Sequence, residues 1–105
     1  MAIIAVDFDG TLQLQDGSAN HRLFRHLALR QRSGDIIILW TCRAGKRLSD
    51  AIVFCVSNGL RPNLVNENAP AAIKMLGYNP RKIYADVYLD DKGVGVHDNL
   101  GAGLE

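Results

Sequence analysis

The sequence predicts an α/β fold in which a central parallel sheet is covered by helices on both faces. Short runs of Ile, Val and Leu, typical of buried strands, alternate with segments whose apolar residues recur at helical spacing. This alternation favours a parallel sheet, because each crossover helix returns the chain to the same edge. Ligands of such sheets bind at the carboxyl ends of the strands. The residues that follow each predicted strand are therefore the candidates for a functional site.

Length, charge and cysteine usage narrow the class of protein. The chain of 105 residues suits one domain, which we predict over 1–103, with 104–105 resembling a vector-derived tail. A formal net charge of +1 gives no general attraction to nucleic acid or to a membrane surface. No apolar run approaches the roughly 20 residues that span a bilayer. Cys42 and Cys55 lack metal-site spacing and predict reduced thiols in a cytoplasmic protein.

The first half of the chain predicts a strand, a turn, a helix and a second strand. Residues 2–7 are an apolar run, and residues 10–17 place two alternating leucines between glycines, which suits a turn or small hairpin. Residues 18–32 carry apolar side chains at helical spacing, and Gly34 supplies a stop signal. Residues 36–40, with the sequence IIILW, predict the second buried strand.

The second half predicts a helix, a strand, a helix and a strand. Apolar residues over 48–56 recur at i, i+3, i+4, i+7 and i+8, which is the stripe of an amphipathic helix. NLV at 63–65 predicts a short strand, and Pro70 suits the first turn of a third helix. IYADVYL at 83–89 predicts the fourth strand, and VGV at 94–96 a further weak one.

Acidic and polar residues follow three of the four predicted strands. Asp7 and Asp9 follow the first strand, residues 41–43 (Thr-Cys-Arg) the second, and Asp90 and Asp91 the fourth. Residues i and i+2 of a strand point to one side, so the first two carboxylates address one site if the strand extends to them. Four acids at one rim repel one another unless a cation binds them. An all-oxygen set of this kind predicts a Mg²⁺ site.

These groups suit phosphoryl transfer. A carboxylate nucleophile forms an aspartyl-phosphate, and a second carboxyl two residues on protonates the leaving alkoxide and then deprotonates water. Mg²⁺ offsets the repulsion between the carboxylates and an incoming phosphate. The Thr41 hydroxyl and nearby backbone N–H groups bind phosphate oxygens, and a lysine balances the charge of the transition state.

Four motifs, in order, resemble those of the haloacid dehalogenase superfamily, most of whose members are phosphatases. They are DFDGTL at 7–12, an apolar strand that ends in Thr41, a lysine, and DD at 90–91. The resemblance implies a Rossmann-like three-layer α/β/α sandwich, with residues 10–17 in the place of the family's squiggle and flap. The chain is too short for a large cap domain, and capless members accept large or macromolecular substrates or rely on a partner for closure.

The resemblance also implies a role for each matched residue. Asp7 would be the nucleophile and a metal ligand. Asp9 would be the general acid and base, with its backbone carbonyl on Mg²⁺. Thr41 would bind phosphate. Asp90 would complete the metal site, and Asp91 would ligate through water or hold the lysine.

Two lysines compete for the remaining motif. Lys82 lies closer to Asp90 in sequence than Lys74 does, and Lys74 falls on the predicted third helix. We favour Lys82 as the catalytic lysine, because it belongs to the KIYAD run and its long side chain can reach over the rim of the strands.

Other residues near the strand ends have competing interpretations. Arg43 would bind a substrate phosphate or leaving group bidentately, or simply belong to a solvated helix start. Asn66 would contact the leaving group or occupy a plain turn. Cys42 belongs to the predicted phosphate-binding loop, although its side chain and that of Trp40 are expected to pack in the core or at the rim.

The function that these features predict is a Mg²⁺-dependent phosphatase acting on a phosphate monoester. Two alternatives stay open. One is a phospho-acceptor regulatory module that uses the same acidic Mg²⁺ pocket. The other is a non-catalytic or partner-dependent member of the superfamily.

Overall fold

The computed structural model describes residues 1–90. The predictions that concern Asp91, the weak strand at 94–96 and the tail at 104–105 lie outside the described residues. In the part described, no helix is long and apolar enough to cross a membrane.

The centre of the molecule is a sheet of four parallel strands whose last residues lie in register. Val6, at the end of the first strand, pairs with Leu39 of the second and with Leu89 of the fourth. The residues that follow these three strands therefore meet along one side of the sheet, here called the carboxyl edge. The strands, in the spatial order third, second, first, fourth, are β1 (Ile3–Val6), β2 (Ile36–Leu39), β3 (Leu64–Val65) and β4 (Val87–Leu89).

Three helices cover the two faces of this sheet: α1 (His21–Arg32), α2 (Gly45–Ser57) and α3 (Pro70–Leu76). Side chains of α1 and α2 share one core cluster with Ile4 and Val6 of β1, whereas α3 packs in a second cluster with alternate β1 residues. This alternation follows from the period-two geometry of a strand. The result is the predicted Rossmann-like α/β sandwich, without a large cap in residues 1–90.

The first strand is shorter than predicted. The sequence suggested residues 2–7, but β1 ends at Val6 and the chain then turns sharply. Gly10 adopts a positive φ of 79°, which favours glycine, and its N–H donates to the Gln13 carbonyl at 2.8 Å. The predicted turn over 10–17 therefore forms. Because the strand stops before Asp9, strand alternation does not bring Asp7 and Asp9 to one side.

The fourth strand is also shorter, since residues 83–86 are irregular rather than extended. The backbone groups of residues 83–85 bond to side chains, whereas the Asp86 N–H already donates to the Ile3 carbonyl of β1 at 2.7 Å. The Tyr84 N–H donates to Asn68 Oδ1 at 2.6 Å, and the Ala85 N–H donates to the Tyr88 hydroxyl at 3.0 Å. Side-chain acceptors of this kind satisfy buried backbone donors without a strand partner, and the hydrophobic pattern alone did not reveal them.

Asp35 connects the start of β1 to the turn between α1 and β2. Its carboxylate accepts the Ala2 N–H at 2.7 Å and pairs with Arg30. Burial alone would raise the pKa of Asp35, but the hydrogen bonds from Ala2 and Arg30 outweigh it, so the pKa lies below its ordinary value. The ionised form is therefore the one that the fold stabilises.

We expect Asp35→Asn to remove an acid-sensitive part of the stability. Because the folded pKa of Asp35 is depressed, its contribution is fully present above about pH 4, the pKa range of an unfolded aspartate. It disappears as the pH falls through the lower folded value. Urea unfolding should therefore show wild type more stable than Asp35→Asn at neutral pH, with the gap narrowing in acid. An unchanged gap at the lowest pH would contradict this.

We expect Asn68→Ala to destabilise the fold by roughly 2–3 kcal/mol, because it leaves buried backbone groups without partners. Asn68 is 8% exposed, and besides accepting from Tyr84 it donates to Asn79 Oδ1 at 3.0 Å and to the Pro80 carbonyl at 2.9 Å. The matched control is Asn79→Ala, which loses one of these contacts at an exposed position and should cost less than about 1 kcal/mol. Equal unfolding free energies for the two variants would refute this role of Asn68.

Candidate active site

Two of the predicted acids, Asp7 and Asp90, lie next to each other at the carboxyl edge. The Asp7 N–H donates to the Leu89 carbonyl at 2.8 Å, which extends the pairing of β1 and β4 one residue past Val6. Asp7 and Asp90 therefore follow adjacent strands at matching positions, and both are half-buried. Asp7 Oδ1 accepts the Phe8 N–H at 2.8 Å, which restrains the orientation of that carboxylate.

The third acid, Asp9, forms a forked ion pair with Arg43. Arg43 Nε donates to Asp9 Oδ2 at 3.0 Å and Arg43 Nη2 to Asp9 Oδ1 at 2.8 Å. The guanidinium also lies over the Phe8 ring, 4.7 Å from its centroid, and donates to the Arg47 carbonyl at 3.1 Å. Arg43 is therefore not a solvated residue at a helix start: its side chain is only 15% exposed, against 53% for Asp9.

This ion pair sets the charge of Asp9. The hydrogen bonds from Arg43 lower the pKa of Asp9 below its ordinary value, although burial acts in the opposite sense. The same contact raises the pKa of Arg43. Asp9 is thus held as a carboxylate, a state that suits a proton acceptor better than a proton donor.

The loop after β2 is held in place by Asn66. Asn66 Oδ1 accepts the Thr41 N–H at 2.9 Å, and Asn66 Nδ2 donates to the Thr41 carbonyl at 3.0 Å. Asn66 has φ 53°, in the left-handed region that asparagine tolerates better than most residues. Its amide therefore extends the contact between β2 and β3 by one step. Asn66 was predicted to contact substrate, and the structure shows it holding the backbone of Thr41.

The loop leads directly into the N-terminus of α2. Thr41 Oγ1 accepts the Arg43 N–H at 3.1 Å, which leaves the hydroxyl proton able to donate to another acceptor. The N-cap residue, Ala44, makes no side-chain capping hydrogen bond. First-turn N–H groups of a helix attract anions when no side chain caps them. Thr41 and the start of α2 thus form a surface suited to phosphate oxygens.

The structure places the backbone of Lys82 beside the loop that follows β3. The Lys82 carbonyl accepts from Asn68 Nδ2 at 3.3 Å, and Asn68 belongs to the loop that follows β3. Lys74 lies within α3, a turn beyond Pro70 at the helix start. Neither lysine forms an ion pair with another residue in 1–90. Lys82 therefore stays the predicted catalytic lysine on backbone placement alone.

The predicted metal ligands are only partly brought together. No group of three metal-ligating side chains is found in residues 1–90, and both oxygens of Asp9 accept from Arg43. Asp91 lies outside the range that the structure describes. The remaining donors are the carboxylates of Asp7 and Asp90 and the backbone carbonyl of Asp9. This set fits Mg²⁺, which retains waters and binds proteins through one or two carboxylates plus substrate phosphate.

Comparison with known proteins supports the α/β fold and relates the chain to a solved structure. Neither a protein-family model nor a curated protein matches the chain. Among solved structures, a conserved protein coded by a locus from Bacteroides thetaiotaomicron is 35% identical, with a TM-score of 0.73. The match covers 90% of this chain and 78% of the other. The chain belongs to the family of this Bacteroides protein. The match spans most of both proteins, so the fold is shared well beyond the site.

Some features of this family member were missed by reasoning from sequence. The ring of Phe8, between the two aspartates, supports Arg43, and the pair of Arg43 with Asp9 was not foreseen. The DFD pattern contained one signal for the contact between Phe8 and Arg43. Successive residues that leave a strand point to opposite faces, so the middle residue of the pattern points away from the two aspartates. Trp40 packs at the rim, as expected, against Tyr88. Cys42 is exposed rather than packed.

The two cysteines should differ sharply in reactivity. Cys55 is buried in the core on α2, and burial raises the pKa of its thiol to about 11, whereas Cys42 is exposed. A thiol-reactive dye at about pH 8 should therefore label one thiol per folded chain and two after denaturation. Cys42→Ser should abolish labelling of the folded protein. Two fast-reacting thiols in the native state would contradict this placement of Cys55.

Proposed function

We propose that the protein is a Mg²⁺-dependent hydrolase of phosphate monoesters that acts through an aspartyl-phosphate on Asp7. The observation that supports this most is the meeting of Asp7 and Asp90 on adjacent in-register strands. The Thr41 loop follows the strand on the other side of β1. A nucleophile, a second acid and a phosphate-binding loop thus share one edge of the sheet.

In the first step, a carboxylate oxygen of Asp7 attacks phosphorus, and the bond to the leaving oxygen breaks. The Phe8 N–H restrains the carboxylate, and the Thr41 hydroxyl and the first N–H groups of α2 bind the phosphoryl oxygens. When bound to Asp7 and Asp90, Mg²⁺ supplies Lewis-acid stabilisation and reduces repulsion between carboxylate and phosphate.

Asp9 handles the proton in both steps, and its pair with Arg43 favours one of them. In the second step water attacks phosphorus, the bond to the Asp7 oxygen breaks and frees the carboxylate, and Asp9 as a carboxylate accepts the water proton. In the first step Asp9 must instead give a proton to the leaving alkoxide. A substrate phosphate that takes donors of Arg43 would weaken the ion pair and make that protonation easier.

The same ion pair favours one alternative, a phospho-acceptor module. A carboxylate that is held ionised cannot protonate a poor leaving group. Such a site would accept a phosphoryl group from a donor whose leaving group needs no proton, such as an acyl phosphate. Asp7 would then carry the phosphoryl group as a signal until water hydrolyses it.

We expect Asp7→Asn to lower Mg²⁺-dependent hydrolysis by about 10³-fold or more, because the amide removes the nucleophile. The screen uses nucleotides, sugar phosphates and phosphorylated nucleic-acid ends, with and without EDTA. The matched control is Asp50→Asn, which removes an exposed carboxylate paired with Lys46 on the surface of α2. It should retain wild-type rates, and both variants should keep the wild-type circular dichroism spectrum.

The outcomes separate the candidates. Undiminished turnover by Asp7→Asn would refute the proposed nucleophile. Labelling of wild type with one hydroxylamine-sensitive phosphate per chain, without turnover, would support the acceptor module. Neither turnover nor labelling across the panel would leave the partner-dependent, non-catalytic interpretation as the one that fits.

A further inference from the structure

An exposed tryptophan stands beside the proposed nucleophile. Trp40 follows the last residue of β2, and its N–H donates to the Val6 carbonyl at 2.9 Å. Because Val6 pairs with Leu39, Trp40 is the next residue in register with Asp7. Its side chain is 38% exposed, although tryptophan is usually well buried. The carboxyl edge therefore presents an aromatic ring one strand away from Asp7.

The ring of Trp40 is held by Tyr88 across the central strand. The two ring centroids are 5.7 Å apart with an interplanar angle of 66°, an edge-type contact. Between them lies Ala5 of β1, which pairs with Tyr88 and whose small side chain leaves room for both rings. Tyr88 is fixed in turn, because its hydroxyl accepts the Ala85 N–H. Trp40 thus rests on a rigid support and keeps part of its aromatic surface open.

A cleft lies beside Asn66, near the β3 edge of the sheet. Leu39 pairs with Val65, so Asn66 is the residue in register with Trp40 on the side away from Asp7. Asn66 lines a cleft of about 380 Å³, a volume in the range of small-ligand sites. Its walls combine apolar and polar groups: Leu64, Pro70, Ile73, Pro80, Ile83 and Arg81. The register therefore places Trp40 between Asp7 and Asn66, and Asn66 belongs to the wall of this cleft.

We propose that Trp40 stacks against a nucleobase of the leaving group, so that the substrates are nucleotides. The inference deepens the proposed function, and its catalytic part rests on that function. Neighbouring strands lie about 4.8 Å apart, so a sugar-sized spacer separates Asp7 from the ring. Every nucleobase has a face that stacks on an aromatic side chain. The Arg81 guanidinium in the cleft wall suits the polar edge of a base or a following sugar.

Two kinds of molecule carry a nucleobase joined through a sugar to a phosphate monoester. They are a free nucleoside monophosphate and the phosphorylated end of a nucleic acid. A net charge of +1 supplies little affinity for a long phosphate backbone. Binding through one base therefore favours the free nucleotide or a very short end. Comparing adenosine 5′-monophosphate with a 5′-phosphorylated oligonucleotide of the same terminal base separates the two sources. Tighter binding of the oligonucleotide would assign the site to nucleic-acid ends.

The first test needs no turnover. Trp40 is the only tryptophan of the chain, so its fluorescence reports directly on stacking. With Asp7→Asn in the presence of Mg²⁺, adenosine 5′-monophosphate should quench this fluorescence saturably, and ribose 5-phosphate should not. Absence of quenching up to millimolar nucleotide would overturn the inference. Equal quenching by ribose 5-phosphate would also overturn it, because the signal would then follow the phosphate alone.

The second test is kinetic and uses a ratio of substrates. Trp40→Ala should lower kcat/KM for adenosine 5′-monophosphate, relative to ribose 5-phosphate, by about tenfold. Trp40→Phe should restore most of that ratio, since phenylalanine keeps an aromatic face. Tyr78→Ala, which removes a 63% exposed ring after α3, is the matched control and should leave the ratio unchanged. An equal loss for both substrates would mean that Trp40 only supports the fold.

The two proposals fail in different ways. Hydrolysis of sugar phosphates without quenching by the nucleotide would refute the base site and leave the phosphatase proposal standing. Saturable quenching without turnover of any ester would refute the phosphatase and keep the base site.

Discussion

The in-register pairing of β1 with both β2 and β4 is the constraint on which the proposed site depends. Strands of two to four residues carry little pairing energy individually, yet their ends fix where Asp7, Trp40 and Asp90 lie. A slip of one residue would invert the side-chain faces of a strand. All four residues of β1 are apolar and buried, so a slip would exchange the side chains that pack in the two cores and would shift Asp7 along the sheet.

The ion pair of Asp9 with Arg43 introduces a conflict between structure and chemistry. It joins the loop after β1 to the loop after β2, and the Arg43 guanidinium lies over the ring of Phe8. The contact that orders these loops also keeps Asp9 ionised. Any substrate anion that approaches Arg43 competes with Asp9 for the same donors. Substrate binding and the proton affinity of Asp9 are thereby linked through one side chain.

Much of the fold was accessible from the sequence, because its signals are local. The runs IIAV and IIIL each indicate a buried parallel strand. The stripes of apolar residues at helical spacing predict the bounds of α1 and α2 to within a few residues. What escaped prediction depends on contacts between distant segments. Nothing near residues 83–85 indicates that Asn68 and Tyr88 satisfy their backbone, so an irregular segment looked like strand. The condition that β1 extends to Asp9 is not met for a local reason, since a turn at Gly10 competes with the strand.

The same distinction between local signals and distant contacts applies to the candidate site. The motif order predicted which residues reach the carboxyl edge, because strand ends are set by local pattern and topology. The partners of those residues could not be read in the same way. Arg43 and Asn66 were identified as ligand contacts, yet in the structure one holds Asp9 and the other holds Thr41. Pattern thus locates side chains, while packing decides whether they face a ligand or each other.

Ala5 shows how tightly this edge is connected to the interior. It is fully buried at the centre of the sheet, and the space above its single methyl group lets Trp40 and Tyr88 touch across β1. A larger residue there would push apart two aromatic rings that lie outside the strand itself. The volume of one interior side chain is therefore a determinant of the outer surface, so variation at this position would couple core packing to the arrangement of the two rings.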